Sequence, residues 1–239
     1  MDKDPYIQEN GILKNKLGIA NYDELNSAEK DITFSKLINS STLLHRNFDI
    51  SFIKSIHKHI FEDIFDWAGT FREVPIIKEE IVIPGLSLDY TKHEKIEKEL
   101  SECLEKLNNT DWNSLSLDEK TVTFTKYITQ FWKIHPFRDG NTRTTLTFAN
   151  QFSKEHGFSM DLGFLLDQLS RKTEIVNGRE KITQFSIRDK FVLAALPNEF
   201  SPEPIHLEKL IKQSIVSGIN KNIETLQNSI SNTKEEREL

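Results

Sequence analysis

Cysteine is almost absent from this 239-residue chain, with Cys103 alone. One cysteine forms no internal disulfide and is too few for a cysteine-based zinc site. Such usage points to a reducing compartment, and a cytoplasmic protein is expected. Glycine and proline are scarce too, at nine and seven, and chains built from strands and tight turns use more of both. Long apolar runs are missing. The longest, Phe191 to Leu196, has six residues, against the roughly 18 a membrane helix needs. The start, Met1-Asp2-Lys3-Asp4-Pro5, lacks the basic region and apolar core of a secretion signal. Excess positive charge is also lacking: 31 Lys+Arg stand against 37 Asp+Glu, a net charge of −6. That balance gives no electrostatic footprint for tracking a phosphate backbone. Neither a nucleic acid nor a membrane is expected as a partner.

What is present reads as helix. Hydrophobic residues make up 37% and charged residues 28% of the chain, enough at this length for a core that folds unaided. Apolar residues recur at helical spacing from Tyr22 to about Leu44 and again from Phe48 to Trp67, where Ala68-Gly69 supplies a stop. Between Phe71 and Ile83 two short β-prone runs flank Lys78-Glu79-Glu80 and end at Pro84-Gly85, which predicts a hairpin. Helices are predicted over Thr91–Leu107, from a capping box at Ser116 to Trp132, and from Asn141 to His156. Others follow over Leu162–Leu169 and Ile187–Leu196, and a last long one opens at Ser201-Pro202. The expected organisation is an arm over residues 1–13, a main domain over 14–200, and a C-terminal helix with a charged tail over 201–239. That last helix suits docking or self-association, because its apolar stripe outruns a single core.

Chemistry is concentrated in nine residues, His135-Pro136-Phe137-Arg138-Asp139-Gly140-Asn141-Thr142-Arg143, at a break between two helices. The backbone N–H groups of residues 140–143 lack intrahelical partners and carry the positive end of the helix dipole, which makes an anion site. Gly140 lets a phosphate approach the backbone, and Arg143 offers a forked contact to a second phosphate. Asp139 beside bound phosphates calls for a bridging Mg2+. His135 is the group here that takes a proton near neutral pH. The chemistry implied is transfer of a phosphorus-centred group, with His135 as general base for a hydroxyl. His57 and His59 are two apart, so on a helix they diverge and do not form a metal pair.

This segment resembles the signature of the Fic (Fic/Doc) family, His-x-Phe-x-(Asp/Glu)-Gly-Asn-x-Arg. Lys14 to Ile19 is similar to the family's N-terminal lead, and Ile56 to Gly69 to the helix before its flap. The resemblance implies a mainly α fold, a helical bundle with a small β-hairpin flap over the active site. It implies an enzyme, a protein adenylyltransferase that moves AMP from ATP, with Mg2+, to a Ser, Thr or Tyr hydroxyl of a target protein. By position, His135 would be the base and Asp139 the metal ligand. Arg138, Gly140, Asn141, Thr142 and Arg143 would bind the nucleotide, with Asn141 on the α-phosphate. Phe137 would anchor the loop, and the flap over about Val74–Ile83 would offer a strand edge to the target.

The chain departs from the longer signature, Gly-Asn-Gly-Arg-x-x-Arg, at Thr142 and Leu146. Leu146 stands where the family has a second arginine, which contacts the terminal phosphate and pairs with an inhibitory glutamate. The family's inhibitory (Ser/Thr)-x-x-x-Glu-(Gly/Asn) motif is absent in strict form, with Ser231…Glu235 and Ser101…Glu105 only partial matches. The expectation is a protein free of that clamp, with an antitoxin-like inhibitor not specified by the sequence. Two alternatives remain open: transfer of another phosphate-containing group, and a regulatory module that binds nucleotide without turnover.

Overall fold

The computed structural model describes residues 4–43 and 47–235, with side chains described to residue 228 apart from residues 41 and 42. The first three residues of the predicted arm and the end of the charged tail lie outside the described residues, as do the side chains of Ser231 and Glu235.

Eight α-helices and one hairpin form the described chain. The first helix, α1 (Tyr22–Ile38), is capped by Asn21, whose side chain accepts from the Glu24 N–H. It buries Leu25, Glu29, Thr33 and Leu37, a stripe spaced by four and half polar. Phe34 and Ile38, which the periodicity assigns to the core, are instead exposed. α2 (Ile50–Phe61) starts at an Asp49 cap, and α3 (Ile96–Asn108) has Leu100, Cys103, Leu104 and Leu107 inward. α4 (Leu117–Ile134) opens on the predicted capping box, with Ser116 and Glu119 satisfying each other's backbone N–H. It is the central helix and packs against α3, α5 (Asn141–Glu155), α7 (Ile187–Ala194) and α8 (Ile205–Glu235). Short α6 (Leu162–Leu166) leans on α5 and α8.

The hairpin is not where the sequence predicts it. β1 (Lys172–Val176) pairs antiparallel with β2 (Arg179–Gln184) across Asn177-Gly178. Both turn residues have positive φ, 53° and 73°, the geometry that Asn-Gly supplies in two-residue hairpin turns. Residues 74–83 carry no ladder. Pro75 to Glu80 run extended with alternating side chains, Ile76, Lys78 and Glu80 inward and Ile77 and Glu79 outward, before a turn in which the Ile83 N–H donates to the Glu80 carbonyl (3.1 Å). The β-propensity is real, but among the described residues no second strand meets this segment. α8 likewise begins at Ile205 rather than Ser201, because Ser201 sits in the left-handed region at φ 52°. Its first turns bury Leu207, Leu210, Ile211 and Ile215, so this half of the helix belongs to the core.

Candidate active site

α4 ends at His135 in the left-handed conformation, φ 52°. The chain turns through Pro136–Gly140 and re-enters helix at Asn141. Buried Arg72 holds this corner together. Its backbone N–H and Nε donate to the carbonyls of Pro136 (2.9 Å) and His135 (2.8 Å), and its guanidinium to Val74 and Thr91. Burial lowers the Arg72 pKa to about 10, and the carbonyls of the α4 C-terminus compensate its charge. Phe137 is fully buried and stacks on His57 at 3.8 Å. Gly69 N–H donates to His57 Nδ1 (2.8 Å), so Nε2 carries the proton and donates to the Asp139 carbonyl (3.1 Å). His57 is thus a brace for the motif loop, with both ring nitrogens engaged. Its pKa is pushed down to about 3 by burial.

Gly140 has φ 76° and lies against the Phe61 ring, where an added Cβ would come within 2.3 Å. No side chain caps α5. The N–H groups of its first turn therefore remain available to a ligand, as the dipole argument requires. The Asn141 side chain is committed within the loop: its Oδ1 accepts from Phe137 N–H (2.9 Å) and its Nδ2 donates to the Phe137 carbonyl (2.8 Å). What Asn141 offers a phosphate here is its backbone. Thr142 accepts from Trp132 Nε1 (2.9 Å).

These residues face a cavity of about 450 Å³. Its polar lining includes Lys78, His135, Asp139, the α5 N-terminus, Arg143 and Arg188; its apolar lining is Phe34, Leu37, Leu166 and Leu169. His135 Nδ1 donates to the Trp132 carbonyl (3.2 Å), while Nε2 is buried with no hydrogen-bond partner. The Tyr90 ring packs 4.3 Å from it. Burial first, and then the charge of Lys78, hold His135 well below the usual histidine range. The imidazole is neutral and presents a free lone pair to the cavity. Burial opposes ionisation of Asp139, but Lys78, Arg143 and the Gly140 N–H (2.7 Å to Oδ1) outweigh it and keep the carboxyl below its usual range. Among the described residues no group of three or more His, Cys, Asp or Glu gathers as a metal site. A single ionised carboxylate beside a phosphate site nevertheless suits Mg2+, which commonly takes one or two carboxylates and completes its shell with phosphate and water.

Three site features escape a sequence reading. Arg143 is paired with Glu29 of α1, donates to Thr33 Oγ1 (3.0 Å) and lies 4.6 Å from the Phe61 ring centroid. This pair is distinct from the clamp whose absence was expected, which would engage position 146: it ties a glutamate of α1 to the first motif arginine. The only advance signal was a polar pair, Glu29 and Thr33, on the stripe of Leu25 and Leu37. Arg188 of α7 grips Glu80 with both nitrogens (2.8 and 2.9 Å), and Tyr90 donates to the same carboxylate (2.7 Å). Lys78 reaches the cavity from the extended segment. Arg138, by contrast, is paired with Asp4 (2.9 Å) and is not among the cavity-lining residues. Leu146 is fully buried in the core.

The fold and cavity define a helical domain that sets an uncapped helix N-terminus beside a neutral histidine. Residues 47–153 match the model of the Fic/DOC family. It is 29% identical over 160 residues to the protein adenylyltransferase VbhT of Bartonella schoenbuchensis, a match covering 66% of this chain and 32% of the relative. It is 27% identical over 154 residues to a probable protein adenylyltransferase, y4lH, of Sinorhizobium fredii, covering 63% of this chain and 74% of that one. The chain thus spans about a third of VbhT and most of y4lH. Among solved structures, an ADP-bound N-terminal Fic domain from Bartonella quintana superposes with a TM-score of 0.67 at 24% identity, covering 87% of this chain and 93% of that one. The AMPPNP-bound BepC protein of Bartonella tribocorum gives 0.66 at 20% identity, covering 87% and 95%.

Proposed function

We propose that the protein is an adenylyltransferase that moves AMP from ATP to a hydroxyl side chain of a target protein. One observation carries the reading: the orphaned, unprotonated Nε2 of His135 faces the same cavity as the uncapped N-terminus of α5 and ionised Asp139. In this reading the nucleotide's phosphates lie on the α5 N–H groups and Arg143, and the base packs on the apolar lining. His135 Nε2 accepts the target hydroxyl proton as its oxygen bonds to the α-phosphorus, and the bond from that phosphorus to the leaving pyrophosphate breaks. Asp139 would hold Mg2+, which supplies neutralisation of phosphate charge when bound. The segment 74–83, with exposed Ile77 and Ile81 and, among the described residues, no strand partner, suits an extended target segment added along its edge. Among the described residues no helix is long and apolar enough to cross a membrane.

A second reading, transfer of another phosphate-containing group, is favoured by one feature: buried Leu146 removes a cation that would orient the triphosphate. Intact-mass spectrometry of the chain after incubation with Mg-ATP separates the two. A gain of one AMP mass is expected, and a gain of one phosphate mass would replace the first reading with the second. His135→Ala should lower the rate by about 100-fold or more, the scale of losing a general base. Equal labelling of the variant would remove His135 from the chemistry.

A further inference from the structure

Four cations line the cavity: Lys30, Lys78, Arg143 and Arg188. Arg143 is neutralised by Glu29, and Arg188 by Glu80. Lys30 is exposed at the rim. Lys78 differs from all of these. It points inward from the extended segment, and among the described residues no carboxylate lies within ion-pair distance of its ammonium. Its backbone is fixed on both sides. The Lys78 N–H donates to Ser87 Oγ (3.3 Å), and two residues on, the fully buried Glu80 carboxylate is clamped by Arg188 and Tyr90. An inward ammonium with no carboxylate at ion-pair distance is a cost to the folded chain that an anionic ligand offsets.

The position of Lys78 indicates which part of a nucleotide it meets. Lys78 lines the same cavity as His135 and Asp139, so ammonium, base and carboxylate face one ligand volume. A hydroxyl deprotonated by His135 must attack a phosphorus within bonding reach, and the group being transferred therefore lies beside Lys78. The second motif cation that would otherwise share the phosphate charge is replaced by Leu146, which is buried in the core.

We propose that Lys78 is a catalytic residue that binds a non-bridging oxygen of the transferred α-phosphate from the side opposite the α5 N-terminus. The inference rests on the adenylyl-transfer reading and adds to it a phosphate ligand from outside the motif. Lys78 gains no proton and loses none. It holds charge on the phosphorus oxygens while the new oxygen–phosphorus bond forms and the bond to pyrophosphate breaks.

Calorimetric titration of the full chain with AMP and with AMPPNP tests it, using wild type, Lys78→Met, Lys78→Arg and, as a control on the exposed face of α8, Lys209→Met. Lys78→Met should weaken both ligands alike by about tenfold, the scale of one charge-assisted contact. Lys78→Arg should restore most of the loss, and Lys209→Met should change nothing. Thermal unfolding of Lys78→Met should match wild type, because the ammonium it removes has no ion-pair partner. Unchanged binding by Lys78→Met overturns the proposal and leaves the proposed function standing. A loss confined to AMPPNP also overturns it, since Lys78 would then meet the leaving phosphates. A wild-type chain that binds neither nucleotide overturns both readings.

Discussion

Arg143 shows how a side chain can be expected at a site while its partner goes unseen. Its place one turn into α5 identifies it from sequence as a phosphate ligand, and the structure puts it on the cavity wall. Its guanidinium is nevertheless already paired with Glu29 and bonded to Thr33. Glu29 is largely buried, and burial raises its pKa against the opposing pull of Arg143. Its carboxylate stands where a nucleotide phosphate would bring further negative charge, so binding must displace or repel it. Glu29→Gln keeps the shape, removes the charge and frees the arginine fork. AMPPNP affinity measured by calorimetry should rise by about tenfold, the scale of one charged contact. An affinity equal to or below wild type would mean that Glu29 orients Arg143 rather than competing for it. The motif residues were legible because nine consecutive positions carry the chemistry and the helix break lies among them. Glu29, Lys78 and Arg188 were not, because each is a charged residue on an ordinary-looking segment. Only tertiary packing turns them towards the same 450 Å³.

The two β-prone segments exchange roles between sequence and structure. Residues 74–83 have the β-branched residues of a strand, but Pro75 and Pro84 bound them, Lys78 lines the cavity and Glu80 is buried against Arg188 and Tyr90. The paired hairpin forms instead at Lys172–Gln184, where Asn177-Gly178 provides the turn and almost every side chain is exposed. The turn dipeptide was visible in the sequence, and the flanking charges concealed the strands. The unpaired segment is the element with consequences for function. Ile77 is 87% and Ile81 61% exposed, a pair of apolar side chains four residues apart, the second in the turn that ends the segment. If a target chain adds to this edge, pockets for alternate residues set specificity while backbone pairing gives affinity. The double variant Ile77→Asp, Ile81→Asp should lower transfer to a protein target by tenfold or more and leave AMP binding unchanged. A parallel loss of AMP affinity would show that the segment shapes the nucleotide pocket instead.

At the scale of the whole molecule, helix count and order were legible because amphipathic stripes and caps are local. Helix ends and the fate of α8 were not, because they depend on what packs alongside. The core that α4 organises also buries ionisable groups whose protonation the fold resists. His57 lies among Phe61, Trp67 and Phe137, near the charges of Arg143 and Asp139, and burial lowers its pKa to about 3. His135 is depressed as well. In the unfolded chain both titrate near the ordinary value of about 6.5. Between about pH 6.5 and 3 the unfolded state therefore binds protons that the folded state excludes, and stability falls as pH falls, by up to about 1.4 kcal/mol per pH unit for each histidine. The carboxyls held below their usual range, Asp49, Asp139 and Asp161, add to this loss at lower pH, while the raised Glu29 opposes it. Urea unfolding at pH 7, 6 and 5 should show decreasing stability, with the loss already under way above the carboxyl range. His57→Gln keeps a donor for the Asp139 carbonyl and removes one titration, so its stability should depend on pH with a slope roughly half that of wild type over this window. Equal slopes in the two proteins would place the acid sensitivity elsewhere than in the histidine that braces the motif loop.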